Sequence, residues 1–275
     1  MAMRITQVSF LLMIILSAQS ALCADNQSFV WPKGVKAAVN LAYDDALDSQ
    51  LDNAIPALNR YGFNGTFYLT LASETIAQRM SDWRKAAEQG HELANHTLFH
   101  QCSRALPGRE WVVPHRDLDK VSVAEIKDQI MLGNVMLQAI DGKQKRTFTT
   151  PCVDLKAGGE NYIDAIKSEF VAIKAAIGGV TPDMWSLDPY AVSVNVPTEV
   201  SGQELIAVVK EAAKKGTMAN FTFHGIGGDH LSVSNEAHEE LLKHLADNKD
   251  IYWVDTFVNI MTYVNAEQQK VAGKK

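Results

Sequence analysis

The chain has 275 residues, with 26 Lys plus Arg against 32 Asp plus Glu, a formal net charge of −6. That acidic balance argues against a nucleic-acid partner, which calls for a basic face. Some 47% of the residues are hydrophobic, enough for a substantial core.

The first segment, Met1 to Ala24, carries Arg4, an apolar run from Val8 to Leu16, and small residues around Ala18, Ser20, Ala21 and Ala24. This is the layout of a secretory signal peptide, with cleavage expected between Ser20 and Ala24. The run is too short to span a bilayer at ~20 residues, and the mature chain contains no second hydrophobic segment of that length. Lipoprotein anchoring at Cys23 is disfavoured, because Leu22 is larger than the small residue such processing needs. A secreted or periplasmic location follows. Loss of Arg4 takes the basic residues from 26 to 25 against 32 acidic ones, a mature net charge of −7. Two cysteines then remain, Cys102 and Cys152, which in an oxidising compartment suffice for one disulfide or stand as two separate thiols.

After Trp31-Pro32, the run Val35 to Tyr43 reads as a buried strand that stops at Asp44-Asp45. A helical pattern from Asp48 to Arg60 is closed by Gly62. Gly65 to Leu71 is a second strand, Ser81 to Gln89 a short helix, and His91 to Asn95 a third strand that delivers His96. Gln101 to Lys120, with Pro107, Gly108 and Pro114, loses periodicity and is expected to be a long loop that shapes a site. Val123 to Ile140 is helical and Arg146 to Thr150 a strand ending at Pro151-Cys152. Then follow a helix near Tyr162 to Ser168 and strands near Phe170 to Ala176 and Ala191 to Val196. Gly202 to Lys215 is a helix and Met218 to Phe223 a strand ending at His224. Glu236 to Ala246 is helical, Ile251 to Val254 is a strand, and Thr256 to Val264 ends the organised part. The polar tail to Lys275 is expected to fray.

Seven or eight β-α alternations without a linker predict a parallel sheet, most economically one barrel, with a doubly wound open sheet as the other form. Asp44-Asp45, His96/His100, Thr150-Cys152 and His224 all fall at C-terminal strand ends. In a barrel these ends converge on one face, where active sites sit.

Asp45, His96 and His100 offer one carboxylate and two imidazoles, a ligand set typical of catalytic rather than structural zinc sites. Asp44 could then accept a proton from water beside the metal, and His224 could protonate a leaving group. Each piece has a plainer reading on its own. Asp44-Asp45 could cap a helix, the histidine pair could make ordinary loop hydrogen bonds, and His224 could be half-buried and structural. Their meeting at one end of one barrel is what favours the chemical reading.

These residues carry a resemblance to the polysaccharide deacetylases of the chitooligosaccharide deacetylase (NodB-like) group, carbohydrate esterase family 4. The first motif of that family, Thr-Phe-Asp-Asp-Gly, is similar to Ala42-Tyr43-Asp44-Asp45-Ala46. The second, His-Ser/Thr-x-x-His, is matched by His96-Thr97-Leu98-Phe99-His100, and the fifth, Leu-x-His, resembles Thr222-Phe223-His224. The matches span Val35 to about Gly228.

The resemblance implies an α/β fold, a single distorted (β/α) barrel over residues 25–275. It also implies one divalent metal, most often Zn2+ with Co2+ or another ion as options, on Asp45, His96 and His100, with Asp44 as base and His224 as acid. The implied reaction removes N- or O-acetyl groups from an acetylated poly- or oligosaccharide. A metal amidohydrolase acting on a small non-sugar amide, and a carbohydrate-binding pseudoenzyme, are the alternatives.

Two motifs depart from the family. Thr149-Thr150-Pro151-Cys152-Val153 stands where Arg-Pro-Pro-Tyr-Gly is usual, so the arginine that orients the catalytic Asp is missing, although the Cys152 N–H could still serve an oxyanion. The fourth motif is echoed only by Asp183-Met184-Trp185. Trp185 and Tyr190 are candidates to stack on a sugar, or ordinary packing residues. In Gly225-Ile226-Gly227-Gly228-Asp229-His230 the glycines let backbone approach a substrate or simply turn, with Asp229 and His230 as candidate subsite residues. On the family's layout Cys102 and Cys152 share the catalytic face, so a bridge between them would tie the second-motif loop to the third.

Overall fold

A computed structural model describes residues 28–273. The signal-peptide segment lies outside these described residues.

Eight parallel strands form one sheet: β1 (Ala37–Asp44), β2 (Thr66–Leu69), β3 (Glu92–Asn95), β4 (Phe148–Thr149), β5 (Ile173–Ile177), β6 (Val192–Val194), β7 (Met218–Phe223) and β8 (Tyr252–Val254). Pairing runs in chain order from β1 to β6, and β7 lies on the other edge of β1 with Ala38 opposite Met218 through Tyr43 opposite Phe223. Between β6 and β7 the ring is closed by a single bridge, Asn195 to Phe221, with Asn195 N–H donating to Asn220 O at 2.9 Å. The result is a nearly closed seven-stranded barrel, in which β8 pairs only with the first half of β1, Ala37 opposite Tyr252. The expected barrel is therefore the observed one, distorted at the β6/β7 seam.

Alternation sorts the side chains. Ala37, Val39, Leu41 and Tyr43 of β1 join a core with α1 (Ile55–Tyr61), α6 (Gly202–Lys215) and α7 (Asn235–Asp247). Ala38 and Ala42 instead pack with Tyr68, Ala94, Ala172, Val192 and Met218, and with Phe257, Ile260 and Met261 of α8 (Phe257–Ala272). Small residues at these inward positions make room for α8 at one end of the barrel. Short helices α2 (Glu74–Gln78) and α3 (Met80–Glu88), the long α4 (Val123–Asp141) and one turn of α5 (Ile163–Ile166) complete the wrapping. Both α4 and α6 open with capping boxes, Ser122/Glu125 and Ser201/Glu204, that satisfy otherwise orphaned N–H groups.

The C-terminal expectation is corrected: α8 continues past Val264 to Ala272 instead of fraying. No Gly or Pro interrupts it before Gly273. Tertiary contacts hold it, since Asn265 donates to Val171 O at 3.0 Å and Gln268 to Met184 O at 2.7 Å. Helix α2, set between the second strand and the Ser81 helix, escaped the sequence pattern because it is barely more than one turn. No described helix is long and apolar enough to cross a membrane.

A polar seam runs inside the barrel. Lys174 Nζ donates to Asn40 Oδ1 at 2.9 Å and Phe221 O at 3.1 Å. Glu92 accepts from Thr66 at 2.9 Å and from the Val258 N–H, at the start of α8, at 2.9 Å. The carboxylate thereby caps a helix N-terminus from within the sheet.

Candidate active site

At the C-terminal strand ends, β1 delivers Asp44, buried and on the inward-facing set, and then turns sharply. Asp45 takes φ 83°, and its N–H donates to Tyr68 O at 3.1 Å, so the strand's last hydrogen bond sets the carboxylate's position. His100 and Cys152 also have positive φ, 49° and 56°. Non-glycine residues held there cost on the order of 1–3 kcal/mol each and cluster at functional sites.

Asp45 Oδ1 lies 3.3 Å from His96 Nε2 and 3.3 Å from His100 Nε2. The remaining His96 nitrogen, Nδ1, donates to Thr149 O at 2.9 Å, which fixes the tautomer that presents Nε2 as a lone pair. The ligand atoms of Asp45, His96 and His100 all lie within 4.8 Å of one another. Asp44 Oδ1 and Asp45 Oδ1 are buried without hydrogen-bond partners among the described residues. Two orphaned carboxylate oxygens beside two oriented imidazoles fit a divalent cation, because unpaired buried charge is otherwise costly.

The electrostatics divide the two aspartates. Burial raises the Asp44 carboxyl above its ordinary value against the pull of His96 and His224. Burial also acts on Asp45, but the hydrogen bond from His230 and the electrostatic pull of His96 and His100 outweigh it and hold that carboxyl well below the usual range. Burial, aided by His96, lowers His100 to about 4, a neutral imidazole suited to ligation. His224 is lowered chiefly by burial, and its Nδ1 is buried without a hydrogen-bond partner among the described residues.

Gln50 ties the two sides of the site together. Its side-chain amide donates to the backbone carbonyls of both Asp44 and His224. It sits in a π-helical turn, Gln50–Ala54, that precedes α1. Cys102 and Cys152 form a disulfide with Cα atoms 6.0 Å apart, fastening the loop after His100 to the one after β4. Arg109 reinforces this join by donating to Asp154 Oδ2 at 3.0 Å and Cys152 O at 3.2 Å.

The cluster floors a cavity of about 760 Å3 lined by Asp44, Asp45, His96, His100, Cys152, His224 and His230. His230, expected only as a subsite residue, instead donates to Asp45 Oδ2 at 2.8 Å. The other substrate candidates are not brought there. Asp229 accepts from the Ser49 N–H at 2.8 Å, anchoring the Gly225–His230 turn on the segment before α1. A Cβ on Gly225 would lie 1.9 Å from Gly228 O, so the glycine is required by the turn itself. Trp185 packs with Phe29, ring centroids 4.7 Å apart, in the cluster around α8, and Tyr190 packs beside the core that contains Phe148 and Phe170. Phe99, Trp111, Arg116, Ile177, Val194 and Leu231 line the cavity and were not singled out from the sequence. The long loop was expected to shape the site, and Trp111 and Arg116 are how it does so.

Residues 32–167 match the family model described as polysaccharide deacetylase. Several solved structures share the fold. The peptidoglycan deacetylase PdaC from Bacillus subtilis superposes with a TM-score of 0.53 at 18% identity, covering 84% of this chain and 93% of that one. For a family 4 acetyl xylan esterase from Clostridium thermocellum, in complex with a cobalt ion, the values are 0.50, 18%, 82% and 91%. A CE4 family pseudoenzyme from Bacillus anthracis gives 0.51 at 16% identity, covering 82% of this chain and 65% of that one. No curated protein sequence matches.

Proposed function

Because the chain belongs to the polysaccharide deacetylase family, we propose that it is a metal-dependent hydrolase that removes N- or O-acetyl groups from an acetylated carbohydrate. The observation that carries this reading is the convergence of His96 Nε2 and His100 Nε2 on Asp45 Oδ1, each at 3.3 Å, with Asp44 and His224 beside them.

Asp45, His96 and His100 would hold the divalent ion, with zinc the first choice for two imidazoles and a carboxylate. Bound there, such an ion supplies Lewis-acid polarisation of the acyl carbonyl and acidifies a water. Asp44 is the general base in this reading. It takes the proton of the attacking water, a role helped by burial that raises its proton affinity. His224, whose Nε2 lies 3.8 Å from Asp45 Oδ2, delivers a proton to the departing amine or alcohol. The Cys152 N–H is the proposed backbone donor to the developing oxyanion. Acyl carbon–nitrogen or carbon–oxygen cleavage then releases acetate, with water the only co-reactant.

The missing third-motif arginine favours a pseudoenzyme as the second reading, yet a complete set of ligands, base and acid supports turnover. The signal-peptide pattern of Met1 to Ala24 and the disulfide support a secreted or periplasmic location. The test is acetate release from acetylated xylan, chitooligosaccharides and peptidoglycan, with and without a chelator. Release that the chelator abolishes and zinc or cobalt restores is expected; no release from any of the three after reconstitution sinks the hydrolase reading.

A further inference from the structure

Among the described residues, ten large hydrophobic side chains are exposed, and four of them, Phe99, Trp111, Ile177 and Leu231, ring the one cavity above Asp45. Scattered exposed hydrophobics need no explanation, but a cluster around a pocket does. Val194 and Val196 complete the wall. These positions come from the ends of β5 and β6 and from the loops after β3 and β7, so the apolar surface is contributed from several sides.

The wall is held in place. Arg116 stacks over the Phe99 ring at 5.0 Å and donates to Phe99 O at 2.9 Å, so the cation at the rim is committed to positioning an aromatic ring. Trp111 leans on His100, ring centroids 6.2 Å apart. Apart from the Asp and His groups on the floor, the polar side chains that line the cavity besides Arg116 are short hydroxyls, such as Thr150 and Thr222.

A sugar presents hydroxyl groups, which need polar partners when they are enclosed. The part of an acylated sugar that matches an apolar wall is its acyl chain. A volume of about 760 Å3 falls in the range of pockets that enclose whole small molecules, far beyond what one acetyl methyl fills. We infer that this cavity takes acyl groups longer than acetyl, of about four to eight carbons, on the amide or ester that the floor residues hydrolyse. This rests on the hydrolase reading for its chemistry and on the wall for its selectivity. Water adds to the acyl carbonyl, the carbon–nitrogen or carbon–oxygen bond breaks, and the products are a medium-chain carboxylate and a free amine or hydroxyl.

The experiment is a series of N-acylglucosamines with acyl chains of two, four, six and eight carbons. Binding to the metal-free protein is read by titration calorimetry, and amine release by the zinc-loaded protein is read separately. Burial of each added methylene predicts that Kd falls about fourfold per carbon until the wall is filled. Ile177→Asp and Leu231→Asp should each remove most of that gain. Affinity and turnover that are flat or falling with chain length, alongside chelator-sensitive release of acetate, overturn the inference and leave the deacetylase reading standing. Chain-length-dependent binding with neither amine release nor cleavage of the matching O-acyl sugars under any metal supports the wall and overturns the hydrolase reading.

Discussion

His230 Nε2 stands 2.8 Å from Asp45 Oδ2, closer than either His96 or His100 stands to Asp45 Oδ1, at 3.3 Å each. The two carboxylate oxygens are thus divided, one facing the histidine pair and the other held by a residue from the turn after β7. Partners that orient a ligand in this way typically contribute 10- to 100-fold to metal affinity. His230→Ala is expected to weaken zinc binding by about that factor without unfolding the protein, as measured by competition with a chromogenic chelator. Unchanged affinity would mean that the strained backbone at Asp45 orients the carboxylate by itself.

Asp44 contributes to the proposed chemistry without belonging to the ligand set. Asp44→Asn keeps the shape of the side chain and removes its basicity. It is expected to lower kcat about 10²- to 10⁴-fold while changing zinc stoichiometry little. Amine release and metal analysis on the same preparation check both halves. Activity that survives the substitution would pass the role of base to another group.

The disulfide closes a loop of 50 residues between Cys102 and Cys152. Loop-closure entropy for that length corresponds to about 4 kcal/mol at most, with native strain and residual unfolded structure reducing the yield. Cys102→Ser with Cys152→Ser should lower the thermal midpoint by several degrees and weaken metal binding, because His100 lies two residues from the bridge. Equal midpoints with and without reductant in the wild type would show that the hydrogen bonds from Arg109 and from the Ser103 N–H to Asp154 suffice to hold the two loops together.

Lys174 is enclosed by the barrel, and burial lowers its ammonium to about 7 against the opposing pull of Asp44 and Glu92. Lys174→Met strips Asn40 Oδ1 and Phe221 O of a donor and leaves the Glu92 carboxylate without a nearby cation. A loss of roughly 3 kcal/mol in denaturant unfolding is expected, with partial recovery when Glu92→Gln is added. A neutral single substitution would mean that water already satisfies this seam.

The strand order was legible because most strands lie in β-type runs set off by Gly, Pro or acidic residues, and the barrel orders its first seven strands as the sequence does. The clustering of Asp45, His96 and His100 was legible because they come from two short motifs at strand ends. Residues that meet only through closure of the barrel were not legible. Gln50 sits in what reads as an ordinary helix start, and its two carbonyl partners lie 6 and 174 positions away. Trp185 was a candidate sugar platform because Asp183-Met184-Trp185 echoes the fourth motif, yet its neighbour Phe29 is 156 residues away and no local pattern reports that contact. The cavity wall has the same origin: Ile177 and Leu231 are unremarkable in their own segments and become a surface only when β5 and the turn after β7 meet. One signal was available and passed over, since Asn40, Glu92 and Lys174 are polar residues inside otherwise apolar strands.

His238 sets the last expectation, which concerns acid stability. It lies in α7 beneath β1, its Nε2 2.7 Å from the Tyr43 hydroxyl, and burial pulls its pKa from 6.5 to about 3. Between those two values the unfolded chain takes up a proton that the native state refuses. The unfolded state therefore binds more protons there, and stability must rise with pH through the window and fall as pH drops below 6.5. The slope from this one residue approaches 1.4 kcal/mol per pH unit, or roughly 3 kcal/mol lost at pH 4.5 relative to neutrality. His91, also buried and lowered to about 4, adds to the same trend down to its own pKa. Urea unfolding at pH 7.5, 6.5, 5.5 and 4.5 should show this decline in the wild type. His238→Gln keeps a group that can bond to the Tyr43 hydroxyl but does not titrate, so its stability should be lower at neutral pH and fall less steeply toward pH 4.5. Parallel curves for the two proteins would remove His238 as the source and shift the acid sensitivity to His91 and the carboxylates of the active-site floor.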